Sequence, residues 1–350
     1  MGLGVLRLIV LLEAVVLLVT LLGLVGGSSL LSARRRDAAR HESRLIEAIA
    51  SAERGTADPG HCARLLAGMP RRLQLPAIAR VIDHVRGPTA ARVAAVARAA
   101  GVTARAERWS HSRRWQRRLL GARALLRLDA DEATILRLLD DSRADVRADA
   151  ARWAATQAQL AVVARLVLML DDPAPDCRFA AQDALTRVGS LATGPLVAYL
   201  GTATGARAAT ALEIARAVAA PVLLRAGLDR CRDDSPLVRA RAASLVATIG
   251  ESQAVDVLRE LLEDRDPEVR EAAASGLGLI RHLASSPSLA RAMHDPAWDV
   301  RRAAGLALRS FGPAGRLYLR RALHEEDPFA ADMARHVLEL PETGGAVWTP

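Results

Sequence analysis

The chain has 350 residues and a net charge of +9, with 51% apolar but only 3% aromatic side chains, and all 48 of its basic residues are arginine. The charge is uneven: residues 28–118 hold 19 arginines against 7 carboxylates, a local +12, while residues 119–350 carry −3, which excludes a basic groove along the whole chain. Cys62, Cys177 and Cys231 are odd in number and far apart, so neither a disulfide framework nor a cysteine–histidine metal site is expected, and small buried thiols are.

Residues 1–27 are apolar save Arg7 and Glu13, about the length a helix needs to cross a bilayer. Arg34, Arg35, Arg36 and Arg40 follow at once, so the positive-inside rule predicts a single-pass protein of the inner or plasma membrane. Its N-terminus faces out and the bulk of its chain is cytoplasmic. Those four arginines are candidate ligands for anionic lipid headgroups. Glu13, an ionisable group within the span, is a candidate contact for another membrane helix. Residues 28–60 then read as a basic juxtamembrane stalk. Residues 61–104 read as a helical cap, in which Arg92, Ala95 and Ala99 roughly fit the frame of the repeat described next. Between Arg105 and Arg118, Trp109 and Trp115 lie among arginines. They are read as packing at the junction of cap and repeats, with membrane contact second and a nucleic-acid surface third.

A repeat occupies residues 105–340. Its clearest copy is LLEDRDPEVREAAASGLGLI, Leu261–Ile280: the end of one apolar helix, an acidic turn with Pro267, then a second helix carrying small residues. Pro267 suits a first helical turn, and Asp264 and Asp266 suit its free N–H groups. Counting from Arg270, small residues fall at +3 and +4 and an apolar one at +7. The same frame fits Arg118, Arg147, Arg178, Arg239 and Arg301, with weaker copies at Arg207 and Ala331. The steps between these eight anchors are 29, 31, 29, 32, 31, 31 and 30 residues. Such regularity predicts an all-α solenoid of about eight helix pairs. The anchor arginines Arg118, Arg147, Arg178, Arg239, Arg270 and Arg301 are expected to pair with the turn carboxylates as a structural ladder, since they recur in every unit whereas active-site residues should be unique. At the fourth turn, residues 201–207, glycine, threonine and alanine replace the acidic punctuation. His294 and His324, both at turns, are expected to be solvated. Leu340–Gly344 matches a sortase sorting pattern, but only six residues follow it, and the match is read as accidental within a disordered tail, 341–350.

The pattern LLxDxxPxVRxxAAxAL resembles the short bacterial HEAT repeats of the phycobilisome-lyase type. The resemblance implies a right-handed α-solenoid, preceded here by the one transmembrane helix, whose second helices line the concave side. Positions +1, +2 and +5 of those helices would then face a protein partner: Asp149, Arg152, Phe179, Asp183, Arg241, Glu271 and Arg302. No phosphate loop, nucleophile elbow or zinc motif occurs, so no catalytic, cofactor-binding or metal-binding residue is assigned, and the chain reads as a non-enzyme. The leading expectation is a membrane-anchored scaffold that binds a protein partner. By resemblance to anchored bacterial HEAT proteins, that partner would be a membrane enzyme such as an envelope-polysaccharide glycosyltransferase. The alternatives that the resemblance carries are a bilin-lyase-like enzyme and a HEAT-like nucleic-acid-binding protein. The −3 charge of residues 119–350 speaks against nucleic acid.

Overall fold

A computed structural model describes residues 39–41, 43–48, 59–83, 88–128, 130–157 and 159–341. The expected span with Glu13, the arginines Arg34, Arg35 and Arg36, most of the stalk and nearly all of the tail lie outside the described residues. Among those described, every regular element is helical and no helix is long and apolar enough to cross a membrane. The chain divides into two compact units at Ala150.

The first unit holds α1 (39–41 and 43–48), α2 (Pro59–Gly68), α3 (Arg71–Asp83), α4 (Pro88–Ala99), α5 (Val102–Ser110), α6 (Trp115–Leu128), α7 (Glu132–Leu139) and most of α8 (Ala144–Ala154). One core joins Leu45 of α1, Leu66 of α2, Ile78 of α3, Ala97 of α4, Ala106 of α5 and Leu128 of α6. α4 corrects the expected cap frame. Its buried residues are Val93, Ala94, Val96 and Ala97, whereas Arg92, Ala95 and Ala99 are exposed. The apolar valines, not the small alanines, set which face turns inward. Helices α5 and α6 meet at Gly121, where a Cβ would lie 2.5 Å from the Ala106 carbonyl oxygen and 2.5 Å from the Ser110 nitrogen.

The second unit is a run of helix pairs: α9 (Leu160–Leu168) with α10 (Pro175–Val188), α11 (Thr193–Leu200) with α12 (Gly205–Val218), and α13 (Leu224–Arg230) with α14 (Pro236–Ile249). The run continues with α15 (Ser252–Leu261) and α16 (Pro267–Ile280), α17 (Ser286–Ala292) and α18 (Trp298–Ser310), and α19 (Pro313–Ala322) and α20 (Pro328–Glu339). Second helices pack chiefly on second helices: α14 sits between α12 and α16, and α16 between α14 and α18. The expected small-residue frame is what permits this approach. Ala242, Ala243 and Val246, Ala273, Ala274 and Leu277, and Ala304 and Leu308 are all fully buried. At the α16–α18 crossing a Cβ on Gly278 would come within 2.8 Å of the Ala307 Cβ.

The helix ends follow from the turn chemistry. Asp266 caps α16 by accepting from the Glu268 N–H at 2.9 Å, with Pro267 in the first turn, and Asp327 caps α20 in the same way through the Phe329 N–H. Asp264 does not cap the helix. Its Oδ1 accepts the Asp266 N–H at 2.9 Å and so holds the turn. At the other end, φ is positive in five consecutive units, at Gly189, Gly250, Arg281 and Gly312, each +11 from its anchor, and at Ala219, +12 from Arg207. Three are glycine, the residue that adopts this conformation freely.

Candidate functional site

The anchor arginines build a ladder whose rungs have one geometry. Arg239 donates from Nη1 to the carbonyls of Asp233 and Asp234, in the turn before its own helix, at 2.9 and 3.0 Å. Its Nε and Nη2 donate to both carboxylate oxygens of Asp264 in the next unit, each at 2.8 Å. Arg270 repeats this one step on, to the Asp264 carbonyl at 2.8 Å and to the Asp295 carboxylate at 2.6 and 2.8 Å. In the first unit Arg118 grips Asp141 at 2.8 and 2.9 Å, and Arg147 donates to the Asp141 carbonyl at 2.7 Å. Arg178 donates to the carbonyls of Asp172 and Pro173, and Arg301 to those of Asp295 and Pro296. Each arginine thus closes its own turn and, in these three rungs, clamps the next. Such forked, charge-assisted pairs are among the stronger hydrogen bonds a protein makes.

Burial alone would disfavour ionised Asp141, Asp264 and Asp295. The clamping guanidinium and the backbone N–H of the turn nevertheless hold all three carboxyls below the ordinary carboxylate range. The same hydrogen bonds raise Arg118, Arg239 and Arg270 despite burial. Arg118, Arg239 and Arg270 thus pair with turn carboxylates, and Arg147, Arg178 and Arg301 donate to turn carbonyls.

The ladder changes character twice. At the fourth unit the buried residues Ala211, Leu212 and Ala215 place the anchor at Ala208, one residue past Arg207. The steps around it become 30 and 31 residues. Arg207 is instead exposed and pairs with Asp171 at 3.1 Å, while the buried Tyr199 donates its hydroxyl to the same carboxylate at 2.8 Å. Arg230 donates to the Leu200 carbonyl and, at 2.8 Å, to Asp233, which stands 25 residues past Ala208 as Asp264 does past Arg239. At the last unit Ala331 replaces the anchor arginine. The Arg301 guanidinium lies 5.2 Å over the Phe329 ring, and its buried Nε has no hydrogen-bond partner. His294, expected to be solvated, holds two carboxylates: Glu325 through Nε2 and Asp327 through Nδ1, both at 2.8 Å.

The second-helix row is only partly open. Asp149, expected to face a partner, is 5% exposed and accepts from Arg123 Nε at 3.0 Å. Position +2 falls within the buried arc because a second helix is packed on both sides, and Ala180 and Ala303 at the same position are buried too. Arg241, also at +2, escapes by length and pairs at 2.9 Å with Glu213, at +5 of the preceding unit. Arg123 and Asp149 occupy those same two positions with the charges exchanged. This second rail is more exposed than the first: Arg241 and Glu213 are 44% and 52% accessible. Asp183 pairs with Arg187 within α10. Glu271 is half-buried, and burial, then the neighbouring Asp299, pushes its carboxyl up against the opposing pull of Arg302. Phe179 is 70% exposed, and Arg152 and Arg302 are also exposed. Arg40, on α1, is exposed.

Trp298 and Phe329, at the starts of α18 and α20, were missed. They are 52% and 65% exposed, and Arg302 lies 5.7 Å over the Trp298 ring. Their signal was the rarity of aromatic residues in this chain combined with their place beside the turns, where the frame calls for polar groups. The two tryptophans that did stand out differ in their surroundings. Trp109 packs on the core of the first unit with Arg117 at 5.8 Å over its ring, and Arg143 lies 4.8 Å over Trp115. The three cysteines are buried, and burial pushes the Cys231 thiol up to about 12.

A family profile described as HEAT repeats matches residues 222–309. No sequence among curated proteins matches. Among solved structures, the Kap95:Nup1 complex contains a chain that is 12% identical with a TM-score of 0.52, a fit that covers 85% of this chain and about half of that one (50%). The complex of CpcE and CpcF of phycocyanin lyase from Nostoc has 19% identity and a TM-score of 0.32, over 67% of this chain and 93% of that one. The likeness to the Kap95 structure shows a fold of stacked helix pairs. The residues similar to HEAT repeats, 222–309, contain the rungs Arg239 to Asp264 and Arg270 to Asp295, and the same rung joins Arg118 to Asp141.

Proposed function

We propose that this protein is a membrane-tethered HEAT-repeat scaffold, without catalytic activity of its own, whose second-helix face in residues 151–350 holds a protein partner. The observation that carries the reading is a division of labour. The recurrent arginines are engaged with their turns, while Phe179, Trp298 and Phe329 stand more than half exposed, Trp298 beneath Arg302 of its own helix and Phe329 beneath Arg301 of the preceding second helix. Aromatic residues and arginine are the side chains that dominate protein–protein hot spots. Support also comes from the fold, since Kap95 is seen in complex with Nup1. A polyanion such as nucleic acid suits the row less well, because it mixes Asp183 and Glu271 with Arg152, Arg241 and Arg302. The tether is the apolar segment 1–27, with Glu13 facing a second membrane helix and Arg34, Arg35, Arg36 and Arg40 on anionic lipid. The repeats are then cytoplasmic, and the partner is a membrane enzyme.

Photo-crosslinkers placed at Phe179, Trp298 and Arg302, and at Arg259 on the first helix α15, test this in native membranes. One partner recovered from the three second-helix positions and absent at Arg259 is expected. Equal recovery at Arg259 contradicts the assigned face. Protease added to intact cells should spare the repeats, and their digestion overturns the topology.

A further inference from the structure

In the second unit, first and second helices alternate through short linkers, so the linkers fall on two opposite edges of the stacked pairs. The edge of the acidic turns comprises residues 165–178, 197–208, 228–239, 258–270, 290–301 and 319–331, each linker taken with the helical turn on either side. It holds sixteen carboxylates against thirteen arginines. The other edge comprises residues 151–163, 185–196, 215–227, 246–255, 277–289 and 307–316. It holds seven arginines and a single carboxylate, Glu251. On this second edge Leu160, Leu191, Val222 and Leu283 are each between 47% and 64% exposed. They are spaced by 31, 31 and 61 residues, the period of the repeat, with Gln253 at the skipped place. The turn Gly189–Ala192 packs on α9, which begins at Leu160, and the turn Pro221–Leu223 packs on α11, so the row runs from one unit to the next. Arg216, Arg225 and Arg281 are exposed on the same edge.

We infer that this edge of the second unit lies on the surface of an anionic membrane, its aliphatic row dipping among the lipids and its arginines on the lipid phosphates. Exposed apolar side chains flanked by basic ones are what hold a peripheral element in the headgroup region. Arginines with almost no carboxylate among them are drawn to a negative leaflet, which repels the acidic edge opposite. The row itself contains no aromatic residue. Leucine and valine are under-represented among the side chains that dominate protein–protein contacts, whereas a fluid lipid surface accepts single aliphatic side chains without a shaped pocket. The inference deepens the tether reading, because a chain anchored through residues 1–27 works beside a bilayer. The experiment below separates the failure of one from the failure of the other.

The full chain is reconstituted into vesicles of mixed phosphatidylglycerol and phosphatidylcholine, or of phosphatidylcholine alone. A photo-crosslinking residue stands at Leu191, Val222 or Leu283, or at Asp234 or Glu263 on the acidic edge. Lipid adducts are read by mass spectrometry, and alkaline carbonate extraction reports the tether. In the anionic vesicles the three apolar positions should give at least five times the lipid adduct of Asp234 and Glu263. The yield at Val222 should fall at least threefold in phosphatidylcholine alone and in the variant Arg216→Gln/Arg281→Gln. Leu191→Ser/Leu283→Ser removes apolar surface without charge and should lower that yield too, which keeps the test decisive if the arginine variant loses its helical signal. This adduct pattern from a chain that carbonate strips from the vesicles supports the edge and overturns the tether. A chain that resists carbonate but gives no adduct at the apolar positions, or equal adduct on both edges, overturns the inference and leaves the tether standing. A yield at Val222 that neither neutral lipid nor either variant reduces also overturns the inference.

Discussion

Arg270 and Arg241 carry the same charge in neighbouring second helices and do different work. Arg270 and its carboxylate partner Asp295 are 14% and 9% accessible, so removing the guanidinium strands a largely buried anion and the Asp264 turn carbonyl. Arg270→Ala should cost about 3 kcal/mol in urea denaturation, at the lower edge of what breaking a buried pair costs. Arg241→Ala, losing a half-exposed pair, should cost less than about 1 kcal/mol. Arg230→Ala should behave like Arg270→Ala, because Arg230 and its partner Asp233 are similarly withdrawn from solvent, at 17% and 15% accessible. The depressed carboxyls add a pH dependence of fixed sign. Asp141, Asp264 and Asp295 bind protons more weakly folded than unfolded, so their contribution is complete above the unfolded value near about 3.9 and is lost as pH falls through the lower native values. Urea midpoints should therefore hold steady from pH 7 to pH 5 on account of these groups and drop below pH 4. In the Arg239→Ala/Arg270→Ala double variant that acid-side drop should be smaller.

At the scale of the helix, the frame of small residues was legible because it reports packing directly: a second helix wedged between two others admits only Ala, Gly or a well-placed aliphatic at +3, +4 and +7. The fourth unit was misplaced by one residue because arginine was used as the marker. Arg207 offered an arginine, while the buried stripe had already fixed Ala208 as the anchor. Asp149 was misjudged for a related reason. The 3.6-residue period gives directions around a helix, but how much of the circle is buried depends on how many neighbours it has. The +11 position was overlooked although glycine stands there at 189, 250 and 312, since helix ends carry no periodic signal. Its conformation yields a direct check. Ala219 and Arg281 hold φ of +50° and +57°, which costs an L-residue roughly 1–2 kcal/mol. Arg281→Gly should raise stability by about 0.5–1 kcal/mol once the greater freedom of unfolded glycine is subtracted. Gly278→Ala should do the reverse, at about 1–3 kcal/mol, because the new methyl meets Ala307.

At the scale of the molecule, the repeat explains why the chain folds and engages its recurrent charges, and the proposed function rests on residues that do not recur. Phe179, Trp298 and Phe329 occur at positions +1, −3 and −2 of three different units, so no periodic search finds them. The proposed tether falls outside the described residues, and the reading rests on the length of the apolar segment 1–27 and the arginines after it. The central claim is that rungs hold the fold and the open second-helix face holds the partner. It is tested most directly by taking two variants, Arg270→Ala and Phe179→Ala/Trp298→Ala, and measuring each for both urea midpoint and yield of the partner crosslinked at Arg302. The account predicts that Arg270→Ala lowers the midpoint while the still-folded protein crosslinks normally. It predicts that Phe179→Ala/Trp298→Ala leaves the midpoint within about 0.5 kcal/mol and cuts the crosslink at least fivefold. An Arg270→Ala variant of unchanged stability that no longer captures the partner contradicts it, and would move the recurrent arginines from the frame to the site.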